Sequence, residues 1–192
     1  EPTHRAWTAM AAARRAGRRV ILYAPTFRDY EGPNDPWPWD WATLAAEAEA
    51  SGATWFIKAH PSDQRRRPTP LPAHVQWVPP AADLYVCYPL CDVVVTDYSS
   101  VGFDVLGLPQ VPVVHFAYDL AAYQARARAL YEPLTSGACG PVVESQDALF
   151  SALRAAPATL VGDRAHAFRR QYGVPPAHRV GATGRVVDRI AA

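Results

Sequence analysis

Three consecutive valines at positions 93 to 95, bounded by Asp92 and Thr96, constrain the fold of this chain most strongly. β-branched residues without polar alternation are typical of a strand that is covered on both faces, as in a parallel sheet. Ser99 and Ser100 follow where a helix N-cap is expected, and an apolar helical segment comes after them. The run therefore predicts a strand-to-helix corner. Such a corner is suited to an anion, because a helix N-terminus offers unpaired N–H groups and a positive dipole end.

Strand-like and helix-like runs alternate along the chain. The predicted strands are Val20–Ala24, Thr54–Ala59, Val75–Val78, Asp92–Thr96, Val111–Phe116 and Pro141–Val143. The predicted helices are Glu1–Arg19, Trp41–Ser51, Leu84–Leu90, Ser100–Leu108, Leu120–Tyr131, Gln146–Ala155, Asp163–Tyr172 and Thr183–Ala191. This alternation indicates βαβ crossovers, and hence an α/β fold with a Rossmann-like doubly wound parallel sheet. A length of 192 residues with 49% apolar residues predicts one domain with a substantial core.

Composition excludes several classes of function. The chain has 19 basic and 18 acidic residues, and a net charge of +1 provides no general attraction to nucleic acid or to an anionic membrane. No apolar run approaches the roughly 18 residues that would span a bilayer. The cysteines are Cys87, Cys91 and Cys139, an odd number without paired spacing, which predicts reduced thiols of an intracellular protein. No His/Cys cluster completes a zinc site, so no metal is expected.

Polar residues follow the predicted strands at the edge where a doubly wound sheet binds its ligands. The segments are Pro25–Asp29, His60–Ser62, Pro79–Pro80, Asp97–Ser100 and Ala117–Asp119. Together, Arg28, His60 and the serine pair suit a diphosphate. Arginine offers a bidentate fork, and histidine offers a donor and, when protonated, a charge.

These residues also have interpretations without a ligand. A serine pair before a helix often serves only as a cap. Arg28 is able to pair with Asp29 or Asp35 within its own loop. His60 also fits a hydrogen-bonded structural histidine, so only the convergence of all these groups favours a binding site.

Three further groups of residues admit a structural and a functional interpretation. Asp97 and Asp104 fit either helix caps or contacts to a ribose. The tryptophans at positions 37, 39 and 41 fit either the packing of a proline-rich loop or stacking on a base. Arg65–Arg67 fits a solvated loop or a contact to an anionic lipid surface.

Several segments, in this order, resemble the CDP-glycerol glycerophosphotransferases, which include the teichoic-acid primases and polymerases. They are Ile21–Asp29, Phe56–Pro61, Asp83–Tyr85, Asp92–Asp104, Phe116–Leu120, Gly140–Pro141 and Gly181–Val186. The resemblance extends from about residue 18 to the end. Two positions depart from the family pattern: Phe27 stands where tryptophan is usual, and Val180 replaces an acidic residue.

The resemblance implies a GT-B architecture, of which residues 1–192 form the C-terminal, donor-binding domain. The resemblance further implies that an N-terminal acceptor domain, which would hold the catalytic base, is absent from this chain. The implied reaction is attack by an acceptor hydroxyl on the β-phosphorus of CDP-glycerol, which extends a polyol-phosphate polymer and releases CMP. No metal is expected to be required. The full-length protein is expected to be cytoplasmic and peripheral on the inner face of a bacterial membrane.

The resemblance also assigns roles to single residues. His60 and Arg28 are expected to steady the diphosphate and the charge on the leaving CMP. The phosphates are expected at Ser99 and Ser100. The remaining expected donor contacts are Thr26, Asp97, the main chain at Val78 and Pro79 for cytosine, and Asp104 for ribose or glycerol hydroxyls. CDP-ribitol, a nucleotide sugar, or a non-catalytic nucleotide-binding module remain alternatives.

Overall fold

A computed structural model describes residues 1–63, 65–105, 108, 111–130, 133–134, 138–155, 160 and 163–172. Within them, six strands form one sheet: β1 (Arg19–Tyr23), β2 (Ala53–Ile57), β3 (Val75–Trp77), β4 (Val93–Thr96), β5 (Val113–Phe116) and β6 (Val142–Val143). The helices are α1 (Pro2–Arg15), α2 (Trp41–Ala50), α3 (Val101–Asp104), α4 (Leu120–Arg126), α5 (Gln146–Arg154) and α6 (Asp163–Tyr172). Every strand pair is parallel, and the strand order is β3-β2-β1-β4-β5-β6.

The sheet confirms the predicted doubly wound α/β fold. All six predicted strands are present, with ends shifted by up to two residues. The predicted helix Leu84–Leu90 is wrong, because only a single 3₁₀ turn forms at Tyr88–Leu90. Pro89 explains this result, since an α-helix through it would lose a hydrogen bond and clash with the preceding turn. The predicted helix Thr183–Ala191 lies outside the described residues.

The central strands are buried because both faces of the sheet are covered. One face packs Ile21, Tyr23 and Trp55 against tryptophans of the 37–41 segment and against α5. The other packs Val20 and Leu22 against α1 and the 3₁₀ turn. The valine run of β4 contributes to both faces, which explains why it lacks polar alternation.

The strand order places a topological switch point between β1 and β4. From β1 the chain winds outward to β2 and β3, and it then returns to β4 on the other side of β1 before continuing to β5 and β6. Loops at the carboxyl ends of β1 and β4 therefore diverge and leave a crevice, the general ligand position in this class of fold. The segments that follow these strands are residues 24–31 and 97–100.

Candidate functional site

A buried arginine, Arg28, joins the loops that follow β1, β4 and β5. Its Nη1 donates to the Thr26 carbonyl at 2.6 Å and to Asp97, while its Nε and Nη2 donate to the two carboxylate oxygens of Asp119 at 2.9 and 2.6 Å. Its side chain is 0% exposed. Burial lowers the guanidinium pKa, but the hydrogen bonds and charges of Asp119 and Asp97 outweigh that effect and raise the pKa above its usual range.

The structure places Arg28 below the surface at which the resemblance expects the diphosphate. It pairs with two distant carboxylates, and neither Asp29 nor Asp35 is its partner. With four N–H bonds already made and no exposure, its guanidinium does not reach a ligand at the surface. Arg28 instead determines how three strand-end loops sit relative to one another.

Asp97 is equally buried and supports the corner formed by Ser99 and Ser100. Its Oδ1 accepts from the backbone N–H groups of Thr26 at 2.8 Å and Ser99 at 3.1 Å, while Oδ2 faces Arg28. The carboxylate is 0% exposed, so the expected direct contact of Asp97 with the donor does not fit this geometry. Asp97 is a structural acceptor for two loops, closer to the capping interpretation.

Asp119 completes the buried cluster at the end of β5. It accepts from the hydroxyls of Tyr30 at 2.9 Å and Tyr98 at 3.0 Å as well as from Arg28. Burial raises the pKa of the Asp119 carboxyl, but the bonds and charge of Arg28 and the two tyrosines hold it below its ordinary value. Sequence reasoning placed Asp119 after a strand without giving it a role; that strand-end position is the signal that could have identified it.

A second buried arginine, Arg65, fastens the loop after β2. Its Nη2 and Nε donate to Asp63 at 2.6 and 3.1 Å, and Nη1 lies 3.4 Å from both Glu31 and the Tyr118 hydroxyl. The guanidinium also lies 4.1 Å over the Trp37 ring. The solvated-loop interpretation is therefore wrong for Arg65, because its charge is satisfied inside the protein. Arg66 and Arg67 are exposed, as that interpretation expected.

The expected diphosphate contacts that reach the surface are His60, Ser99, Ser100 and Thr26. His60 is exposed, its ring stacks on Phe27 with centroids 4.5 Å apart, and its Nδ1 accepts from the Ser62 N–H at 3.1 Å. That bond places the proton of the neutral ring on Nε2. Ser99 Oγ accepts from the Val101 N–H at 3.3 Å, whereas Ser100 is exposed and makes no capping bond.

The expected nucleoside contacts are arranged around the loop after β3. The Val78 N–H donates to the Ile57 carbonyl and the Pro79 carbonyl accepts from Ala82, so both groups already have main-chain partners that compete with cytosine. Asp104 is partly exposed and accepts from the Tyr85 hydroxyl at 2.8 Å. Its carboxylate therefore lies at the surface, beside an aromatic ring that is 62% exposed.

The tryptophan cluster belongs to the core. Trp37 and Trp39 are 7% and 6% exposed and stack with centroids 6.3 Å apart, and Trp39 also stacks on Phe116. The Trp37 indole N–H donates to the Arg66 carbonyl at 2.9 Å. The packing interpretation is therefore confirmed for both rings.

All three cysteines are buried and none forms a disulfide, as predicted for reduced thiols. Burial raises the pKa of the Cys139 thiol to about 12, so it is uncharged at neutral pH. Among the residues whose placement is described, no group of three His, Cys, Asp or Glu side chains could hold a metal ion. No helix in the same part of the chain is long and apolar enough to cross a bilayer.

A concavity of about 550 Å³ adjoins the cluster on the β5 side. Residues 117–122, Gln124 and Glu144 line it, so Asp119 connects the buried cluster to an open surface. The arrangement as a whole is an edge of a parallel sheet with hydroxyl and imidazole groups outside and a fixed ionic framework underneath. Such a framework holds donors in place for an anionic ligand, because they need little reorganisation on binding.

Comparison with known proteins gives consistent matches. The family model described as CDP-Glycerol:Poly(glycerophosphate) glycerophosphotransferase matches residues 8–191. The teichoic acid ribitol-phosphate polymerase TarL of Staphylococcus aureus is 32% identical over 143 residues, which is 71% of this chain and 25% of that protein. The teichoic acid glycerol-phosphate transferase of the same organism is 33% identical over 144 residues, covering 71% of this chain and 36% of its own length.

Solved structures share the fold. The wall teichoic acid polymerase TagF superposes with a TM-score of 0.74 at 21% identity, covering 97% of this chain and 49% of that one. A TagF variant soaked with CDPG gives a TM-score of 0.71 at 20% identity, over 95% of this chain and 47% of that one. The glycotransferase of kitacinnamycin superposes with a TM-score of 0.52 at 18% identity, covering 92% of this chain and 43% of that one. The chain thus spans about half of these structures and about a quarter to a third of the curated relatives.

Proposed function

Because the chain belongs to the CDP-glycerol:poly(glycerophosphate) glycerophosphotransferase family, we propose that it provides the donor site of a transferase that moves glycerol phosphate from CDP-glycerol to a polyol-phosphate polymer. An acceptor hydroxyl attacks the β-phosphorus, the bond from that phosphorus to the bridging oxygen breaks, and CMP leaves. The relatives named above are teichoic acid enzymes, which supports a cell-wall or capsular polymer as the product.

One observation carries this proposal: Arg28 ties together the loops after β1, β4 and β5 at the switch point of the sheet. A buried ion pair with two carboxylates is expensive to desolvate and is not needed for a sheet to fold. Its effect is to hold Thr26 and the Ser99–Ser100 corner in one arrangement. Fixed donors at a switch point suit a nucleoside diphosphate.

The residues take distinct roles in this site. Ser99 and Ser100, with the N–H groups that open α3, bind the donor phosphates, and His60 donates to the diphosphate or to the leaving CMP. Arg28, Asp97 and Asp119 position these groups from beneath. Main chain near Val78 and Pro79 remains the proposed cytosine contact, and Asp104 the proposed hydroxyl contact.

The site is proposed to work without a metal, with charge stabilised by protein donors. The acceptor and the catalytic base are proposed to belong to a further domain, because the matched relatives are two to four times longer than their aligned parts. Since a nucleotide-activated donor is a cytoplasmic metabolite, the reaction is proposed to take place in the cytoplasm, with the full-length protein at the inner face of the membrane.

CDP-ribitol is the second candidate donor. One matched relative is a ribitol-phosphate polymerase and another a glycerol-phosphate transferase, at nearly the same identity. The two donors share CDP and differ only in polyol length, so the phosphate corner would serve both. Titrating each donor against this chain distinguishes them through the ratio of their dissociation constants.

The test is a thermal-shift titration with CDP-glycerol, CDP-ribitol, CDP, CMP, UDP and GDP, each with magnesium and with EDTA. A ligand at 100 times its dissociation constant adds about 2.7 kcal/mol, which raises the Tm by very roughly 5–11 °C in a domain of this size. We expect a CDP-selective shift that EDTA does not abolish. No shift with any nucleotide would refute the donor-site proposal, and an EDTA-sensitive shift would refute its metal independence.

The serine pair provides a sharper test. Ser100→Ala removes an exposed hydroxyl that makes no capping bond, so donor affinity should fall by roughly 10- to 150-fold while the Tm of the free chain stays the same. Ser99→Ala should lower both the donor affinity and the Tm of the free chain, because the Ser99 hydroxyl also accepts from the Val101 N–H. Changes in affinity below about twofold for both variants would remove the serines from the site.

A further inference from the structure

The burial of Arg28 leaves the proposed site without the arginine that the sequence assigned to the ligand. A CDP-linked donor carries two negative charges on its diphosphate, and charge-assisted hydrogen bonds from arginine are the strongest protein contacts to such groups. The guanidinium of Arg28 is 0% exposed and already neutralised by Asp97 and Asp119. A cation that meets the diphosphate must therefore come from another residue.

Arg128 and the exposed imidazole of His60 share one aromatic neighbour, Phe27. Its guanidinium carbon is 5.4 Å from the centre of the Phe27 ring, and the His60 ring stacks on that same phenyl ring at 4.5 Å. The guanidinium and the imidazole therefore lie within about 10 Å of each other, with Phe27 as their shared neighbour. A diphosphate can contact both groups across a gap of this size.

The charge of Arg128 is available to a ligand. Its side chain is 53% exposed, and its carboxylate partner, Asp29, lies 3.9 Å away and is 52% exposed. An ion pair this open and this long contributes little, so an incoming phosphate can replace it at small cost. This contrasts with Arg28, whose two carboxylates are held inside the protein.

We propose that Arg128 is a diphosphate-binding residue, and that it and His60, which both pack on the Phe27 ring, contact the same diphosphate. This assignment rests on the proposed function and adds to it the cation that Arg28 does not provide. Phe27 acts as a positioning residue, because its ring contacts both the Arg128 guanidinium and the His60 imidazole. Asp29 acts against binding, since it competes with the phosphate for Arg128.

The chain offers a matched control in Arg126, the last residue of α4, which lies two residues before Arg128. Arg126 carries the same charge and stacks on an aromatic ring of the same loop, with its guanidinium 4.3 Å from the centre of Tyr30. Arg128→Ala and Arg126→Ala therefore change net charge and cation–π packing alike. They differ in that Arg128 shares its ring with His60 and lies 3.9 Å from the Asp29 carboxylate.

The experiment measures dissociation constants of CDP-glycerol, cytidine and inorganic pyrophosphate by calorimetry at constant ionic strength. For Arg128→Ala we expect about tenfold weaker binding of CDP-glycerol and pyrophosphate and unchanged binding of cytidine. Arg126→Ala should change all three by less than about twofold. Asp29→Asn should lower the dissociation constants of CDP-glycerol and pyrophosphate by a few-fold. A merely structural role of Arg128 does not predict this gain in affinity.

The outcomes separate this inference from the proposed function. If pyrophosphate binding depends on Arg128 but CDP-glycerol does not bind, the inference stands and the donor assignment fails. If Arg128→Ala and Arg126→Ala weaken the phosphate ligands equally, the effect is general electrostatics and the inference is overturned. It is also overturned if Arg128→Ala leaves the binding of both phosphate ligands unchanged, or if pyrophosphate binds neither the wild type nor Asp29→Asn.

Discussion

Replacing Arg28 by methionine tests whether the buried ion cluster is the framework of the strand-end loops. The substitution keeps an unbranched side chain but removes the charge and four hydrogen bonds: one to the Thr26 carbonyl, one to Asp97 and two to Asp119. Two carboxylates then lose their cation. Asp97 has no exposure at which to regain water, whereas the Asp119 side chain is 14% exposed.

The cost of this change can be bounded from the partners that remain. Breaking a buried ion pair from one side costs about 3–5 kcal/mol, because the other charge is left uncompensated. Asp97 keeps the N–H groups of Thr26 and Ser99, and Asp119 keeps the hydroxyls of Tyr30 and Tyr98. These donors place the expected loss in the lower part of that range, about 3–4 kcal/mol. The corresponding fall in Tm is about 6–16 °C.

Urea unfolding of the 192-residue chain measures this loss, with Arg126→Met as the control. Arg126 is exposed on α4, so its replacement should cost about 1 kcal/mol or less. The double variant Arg28→Met/Asp119→Asn should lose less than the sum of the single losses, because it leaves one fewer uncompensated charge. A loss below about 1 kcal/mol for Arg28→Met, or a loss equal to the control, would refute the framework role.

Two further substitutions test the acid stability of the cluster and the packing of the sheet edge. Asp119 has a folded-state pKa below its ordinary value, so its stabilising contribution is fully present above the unfolded pKa of about 3.9 and is lost as pH falls through the lower folded value. The difference in unfolding free energy between wild type and Asp119→Asn should therefore be constant near neutrality and shrink below about pH 4; a difference that persists to pH 2 would contradict this. Gly140→Ala should cost at least about 3 kcal/mol by urea unfolding, because its Cβ would lie 1.8 Å from the Val113 carbonyl oxygen and part of β5 would have to move. Gly17→Ala, at φ +74° with open space around it, should cost only about 1–2 kcal/mol of unfolding free energy. Equal losses at both positions would show that the backbone around Val113 shifts to accommodate the added methyl group.

The Ser99–Ser100 corner and the buried arginines near the strand ends were predictable to different degrees from the sequence alone. The positions of Ser99 and Ser100 after β4 follow from local signals, namely a buried strand and a helix start. The buried state of Arg28 and Arg65 did not follow from the sequence. Asp29 and Asp35 were plausible but incorrect partners for Arg28, and a run of three arginines favoured a solvated loop for Arg65. Pro89 shows the opposite case, in which a local rule was available and the helix prediction overlooked it.

The sequence by itself determined the strands and their parallel arrangement, because burial on two faces imposes β-branched runs that are readable over a few residues. Only the tertiary structure decided which side chains meet. Arg28 finds Asp97 and Asp119 at separations of 69 and 91 residues, and it does so because the strand order sets β1 beside β4 and β5 one strand further. The physical reason is that periodicity records only whether a residue is buried, whereas a buried charge selects its partner through the register and order of the whole sheet.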